Sequence, residues 1–100
     1  MSKLKIVWLA SAIDDLDEIW RYTFQNWSIE QADRYHHLII QEVSFLSSNP
    51  GAGKKIDYLR SGYRSAKVQS HIIFYRHSSA EMEVVRILHE SMDIPNRLND

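Results

Sequence analysis

The sequence predicts one α+β domain: an N-terminal strand, then an antiparallel helical hairpin packed on a mainly antiparallel four-stranded sheet, in the order β-α-α-β-β-β. Three observations lead there. Two stretches with apolar residues three and four apart follow each other almost without a connection, which is the pattern of paired amphipathic helices. Past Gly62 the apolar period changes to two, the period of strands. The chain has 100 residues, 44 % of them apolar, which suits a single domain over residues 1–100 with one real core.

Each element has its own warrant. Residues 4–9, LKIVWL, combine β-branched and aromatic side chains in a short apolar run and read as a strand. A helix near 11–26 follows. Ser11 sits where an N-cap belongs, Asp14 stands three residues on, and the acids Asp14, Asp15, Asp17 and Glu18 suit the positive end of a helix dipole. Its expected buried stripe is Ile13, Leu16, Trp20, Thr23/Phe24 and Trp27. Ser28 and Gln31 repeat the start signal for a helix near 28–47, with the stripe Ala32, Tyr35, Leu38/Ile39, Glu42/Val43 and Phe45/Leu46. SSNPG ends it, since proline cannot continue a helix. Residues 49–61 show no clear period and read as a basic loop.

Strands are expected near 62–68, 71–77 and 83–89, joined by the tight links QS and SSAE into an antiparallel meander. HIIFYR and VVRILH are apolar on both parities, as in strands covered on both faces. The N-terminal strand then joins the sheet at an edge or beside the last strand. Trp20, Leu16, Leu38, Phe74, Ile73 and Ile87 are the expected core between hairpin and sheet. The end, ESMDIPNRLND, reads as a short turn or helix broken near Pro95 and only loosely held.

Composition narrows the function classes. With no cysteine there are no disulfides and no thiolate zinc sites, which fits a reducing compartment. The apolar runs are a few residues long, far short of a membrane span, so the expectation is a soluble cytoplasmic protein with no membrane partner. Neither a cofactor nor a metal is expected: the three early aspartates radiate around a helix axis, and neighbouring His36 and His37 point about 100° apart. Net charge is −1, but residues 54–76 hold Lys54, Lys55, Arg60, Arg64, Lys67 and Arg76 against the single acid Asp57. That stretch is either a solvated face or a surface for an acidic partner.

Several strings resemble the ParE branch of the RelE/ParE toxin superfamily. LASAIDDLDEIWRYTFQNWSIEQADRY is similar to its helical hairpin, and NPGAGK…LRSGYRS to the loop leading into its second strand. HIIFYR and VVRILHESMD are similar to its last two strands and their R-I-L-H-x-x-M-D ending. Together these cover residues 6–98; the departure is Ser28, where the family usually has glycine.

The resemblance implies the toxin of a type II toxin–antitoxin system, a growth-arresting and plasmid-maintaining protein that inhibits DNA gyrase by binding it. It also implies a ParD-like antitoxin, a hetero-oligomeric complex, and contact with operator DNA only through that complex. On this reading Arg64, Arg76, Arg86, His89, Met92 and Asp93 are candidates to touch the target, and Lys54, Lys55, Arg60 and Lys67 to touch the antitoxin. The alternative on the same fold is a ribosome-dependent mRNA endonuclease of the RelE type. Such chemistry needs cations at the scissile phosphate and groups to move protons, for which Lys54, Arg64, Arg86 and His89 are the candidates. A further alternative is a non-toxic interaction module. P-loop, H-E-x-x-H and G-x-S-x-G motifs are all missing from the sequence.

Overall fold

The computed structural model describes residues 3–98. Strand β1 (Lys5–Trp8) leads into α1 (Ala10–Asn26) and α2 (Ile29–Ser48). A short 3₁₀ turn, Pro50–Ala52, precedes β2 (Lys54–Lys55), then β3 (Arg64–Val68), β4 (His71–His77), β5 (Glu81–His89) and α3 (Ile94–Leu98). The sheet has five strands in the order β1-β5-β4-β3-β2, one more than expected, because part of the supposed basic loop pairs antiparallel with β3. β1 lies at an edge and beside the last strand, parallel to β5.

Local chemistry explains most boundaries. Ser28 caps α2, its hydroxyl accepting from Gln31 N–H at 3.1 Å. Ser11 does not cap α1: the helix begins at Ala10 with Leu9 as N-cap, and the Ser11 hydroxyl donates to the Val85 carbonyl at 3.0 Å. Leu9 N–H is still bonded to Val84 when the helix starts, so chain pairing with β5 fixes the entry point. In the two-residue link between β3 and β4, Gln69 adopts φ +52°. The Ser78 hydroxyl, accepting from Ala80 and Glu81 N–H, shapes the β4–β5 link. Pro95 does not break the last helix; it occupies its first turn, where no N–H is needed. The described part of that end is also not loosely held, because Leu98 is buried and the Arg97 carbonyl accepts from Arg86; Asn99 and Asp100 lie outside the described residues.

Both sheet faces are covered. One carries Ala12, Leu16, Ile19, Ile39, Val43, Leu46, Ile73, Tyr75, Met82, Val84 and Ile87 beneath the hairpin. The other carries Ile56, Tyr63, Phe74, Val85, Leu88 and Leu98 beneath the 56–63 turn and α3. Three core expectations therefore change. Phe74 is buried, but on the face away from the hairpin. Leu38 and Trp20 are only half-buried, Trp20 stacking on Phe24 and donating its indole N–H to Asp33 at 2.9 Å. In α1 the buried stripe is Ala12, Leu16 and Ile19, one step around the helix from the expected set, leaving Ile13, Phe24 and Trp27 exposed. Two stripes share the helical period there, and the sheet takes the one with small and aliphatic residues, which lets the helix approach closely.

Candidate functional site

Two of the expected site arginines are tied into the fold by their guanidinium groups. Arg86, on β5, donates from Nε (2.7 Å) and Nη2 (2.9 Å) to the carboxylate of Asp15 on α1, and from Nη1 to the Arg97 carbonyl at 3.1 Å. Asp15 also accepts the Ile87 N–H at 3.0 Å, and both side chains are under 15 % exposed. A carboxylate expected merely to suit the helix dipole thus staples α1 to β5, and Arg86 carries the link on to α3. Arg64, on β3, donates to the carbonyls of Gly53 (2.8 Å) and Gly51 (3.3 Å). Beside it, fully buried Tyr75 accepts from Gly53 N–H (2.9 Å) and donates to the Pro50 carbonyl (2.8 Å). A Cβ at residue 53 would collide with that phenol, so only glycine lets the loop close over Tyr75.

The remaining basic residues do not form one surface. Lys54 and Lys55 are exposed on edge strand β2. Nearby, the Arg60 and Arg76 guanidiniums each lie 5.7 Å from the Tyr63 ring centroid. Arg76 also pairs with Glu83, whose hydrogen bond raises its pKa. Lys67 lies toward the other end of β3 and pairs with Glu90 at 2.8 Å. That bond holds Glu90 below its ordinary pKa.

His89 ends β5 and lies directly opposite His71, the first residue of β4. Their rings meet edge to face, 5.1 Å between centroids. His71 Nδ1 is 2.6 Å from the Tyr35 hydroxyl of α2, which donates to the Val68 carbonyl at 3.0 Å. His89 Nδ1 accepts the Ser91 N–H at 3.1 Å and lies 2.7 Å from the Ser91 hydroxyl. Burial pushes the His71 pKa down to about 4, helped by the charge of His89 and opposed by Glu90. Both imidazoles line a cleft between hairpin and sheet, made of adjoining hollows of about 470 and 490 Å³. Exposed Tyr22 lines both hollows, Trp27 and Arg34 the larger, and Met92 the smaller. Met92 and Asp93 follow in a closed turn, with Met92 N–H on the His89 carbonyl and Asp93 held by Asn96 at 2.6 Å.

Sequence reasoning finds His89 but misses His71, Tyr35, Tyr22, Trp27 and Arg34 as its neighbours. The QS link places His71 at a strand start, yet pairing it with His89 requires the β4–β5 register, which includes an irregularity at Phe74/Tyr75. Among the described residues no group of three or more His, Asp or Glu is placed to hold a metal ion, and no helix is long and apolar enough to cross a membrane.

A helical hairpin is thus laid across a mixed sheet, with an open cleft where its tip meets the strand ends. The family model described as the ParE toxin of the type II toxin–antitoxin system parDE matches residues 6–94, and the chain belongs to that family. It is 39 % identical to Toxin ParE1 of Caulobacter vibrioides over 79 residues, covering 79 % of this chain and 81 % of the relative. It is 36 % identical to Toxin ParE1 of Mycobacterium tuberculosis over 84 residues, covering 83 % and 86 %. With Toxin ParE of Escherichia coli the identity is 36 % over 92 residues, covering 91 % and 89 %. A solved structure titled as the chromosomal ParDE TA system from P. aeruginosa shares the fold, with TM-score 0.76 and 23 % identity over 87 % of this chain and 96 % of that one.

Proposed function

We propose that this chain arrests growth by binding and inhibiting DNA gyrase, without chemistry of its own, and is silenced by a ParD-like antitoxin. The observation that carries the choice is the commitment of Arg64 and Arg86. A RelE-type nuclease would draw on these strand cations at the scissile phosphate, but Arg86 is spent on Asp15 and Arg64 on the 51–53 carbonyls. Membership of the ParE family and likeness to the three named toxins support the same reading.

On this proposal gyrase contacts draw on His89, Met92 and Asp93 at one end of the sheet and on Arg76 toward the other end of β4, while Arg64 and Arg86 act through the fold. The antitoxin brings acidic side chains to Lys54, Lys55, Arg60 and Lys67, and its disordered segment folds on docking. The complex is hetero-oligomeric, works in the cytoplasm, and reaches operator DNA through the antitoxin; plasmid maintenance follows if the pair is plasmid-borne. Adding pure toxin to a gyrase supercoiling assay and to ribosome-programmed mRNA tests the proposal. Inhibited supercoiling with intact mRNA is expected; cleaved mRNA with unaffected supercoiling would replace this reading with the nuclease.

A further inference from the structure

We propose that the cleft over His71 and His89 is a nucleobase-binding site, taking a single-stranded nucleic acid or a free nucleotide whose phosphate reaches Arg34. The inference rests on the cleft's own geometry, and the cleft shares His89 and Met92 with the proposed gyrase surface. Three features converge there.

The first is a complementary hydrogen-bonding pair. Because His89 Nδ1 accepts the Ser91 N–H, the proton of the neutral ring sits on Nε2, which makes that nitrogen a donor. With the Tyr35 hydroxyl proton given to the Val68 carbonyl, His71 Nδ1–H donates to the Tyr35 oxygen, and its Nε2 is left an acceptor. The Tyr35 hydroxyl and the Ser91 N–H thus hold two facing imidazoles in opposite tautomers. The Watson–Crick edge of every base offers an adjacent donor and acceptor, and flipped or single-stranded bases are read on that edge. Burial keeps His71 neutral, so its acceptor persists near neutral pH.

The second feature is aromatic surface. Tyr22 is 65 % and Trp27 69 % exposed, and both line the larger hollow. Large rings left in solvent on the wall of a cleft are stacking platforms for a base. The third is charge and size. Arg34 lines the same hollow, a guanidinium matches phosphate geometry, and about 490 Å³ lies within the range of small-ligand sites.

The test is a ¹⁵N NMR titration of antitoxin-free protein with the four ribonucleoside monophosphates and with short single-stranded DNA and RNA. The Trp27 indole and the His71 and His89 ring signals should move together. Trp27→Ala and His71→Gln should each weaken binding about tenfold, and Arg34→Gln should weaken nucleotides more than nucleosides. Trp27 and Arg34 are exposed, so those two variants keep the fold whatever happens at His71. Saturation by mononucleotides identifies a free nucleotide as the ligand, and saturation by oligonucleotides alone identifies a single strand. Three results would overturn the site: no shift with any probe at millimolar concentration, binding unchanged in Trp27→Ala and His71→Gln, or shifts of these signals only on adding antitoxin.

Discussion

Replacing Asp15 with alanine removes the acceptor of three N–H groups at once: Nε and Nη2 of Arg86 and the backbone N–H of Ile87. The guanidinium left behind is 14 % exposed, too enclosed for water to replace the carboxylate fully. Breaking such a buried pair from one side typically destabilises by about 3–5 kcal/mol, because a charge remains without its partner. The slight exposure and the surviving bond to the Arg97 carbonyl place this case at the lower end, about 3 kcal/mol. For a domain of this length, with roughly 5–15 kcal/mol in total, that is a large loss. At about 4–8 °C per kcal/mol, the melting temperature should fall by more than ten degrees. Urea unfolding followed by circular dichroism measures it, in a double-mutant cycle with Arg86→Ala. The double variant should be little worse than either single one, giving a coupling energy of about 1–3 kcal/mol. A coupling below about 0.5 kcal/mol would show that Arg86 is not held as described. The same variants separate structure from recognition. If Arg86 acts only through the fold, gyrase inhibition by each variant tracks its folded fraction; a fully folded Arg86 variant without inhibition would make Arg86 a contact.

Other outcomes follow from the same geometry. Tyr75→Phe should cost about 1–3 kcal/mol, since Gly53 N–H and the Pro50 carbonyl lose a buried partner; a melting temperature equal to wild type would contradict it. Phe74→Ala should cost about 3–5 kcal/mol and half-buried Trp20→Ala clearly less, the reverse order refuting the packing assignment. Gln69→Asn should stabilise by a few tenths of a kcal/mol, because asparagine tolerates φ +52° better; a measurable loss would exclude strain there. His71 binds its proton less readily folded than unfolded, so stability is intact above about pH 6.5 and declines as pH falls toward 4. Thermal melts at pH 7 and 5 should show that decline shrinking in His71→Gln, and an unchanged slope would assign it to other groups. Antitoxin association should slow as salt rises, as measured by stopped flow, and a salt-independent rate would remove Lys54, Lys55 and Arg60 from that interface.

Much of this molecule is written locally. The Ser28 cap, the stop at SSNPG, the period-two strands and their short links depend on neighbours within a few residues, and each reads directly from the chain. The family strings lie along these same elements, so class and fold are legible together. Helical periodicity does not say which of two adjacent stripes meets the sheet, and the structure chose Ala12, Leu16 and Ile19 over the larger Ile13, Trp20 and Trp27. Strand parity likewise shows that Phe74 is buried but not on which side. The site lies further still from the sequence. Asp15 and Arg86 are 71 residues apart, Tyr35 and His71 36, and the facing of His71 and His89 depends on strand register. Local chemistry determined the elements; only tertiary packing decided which charges were spent on the fold and which side chains were left to line the cleft.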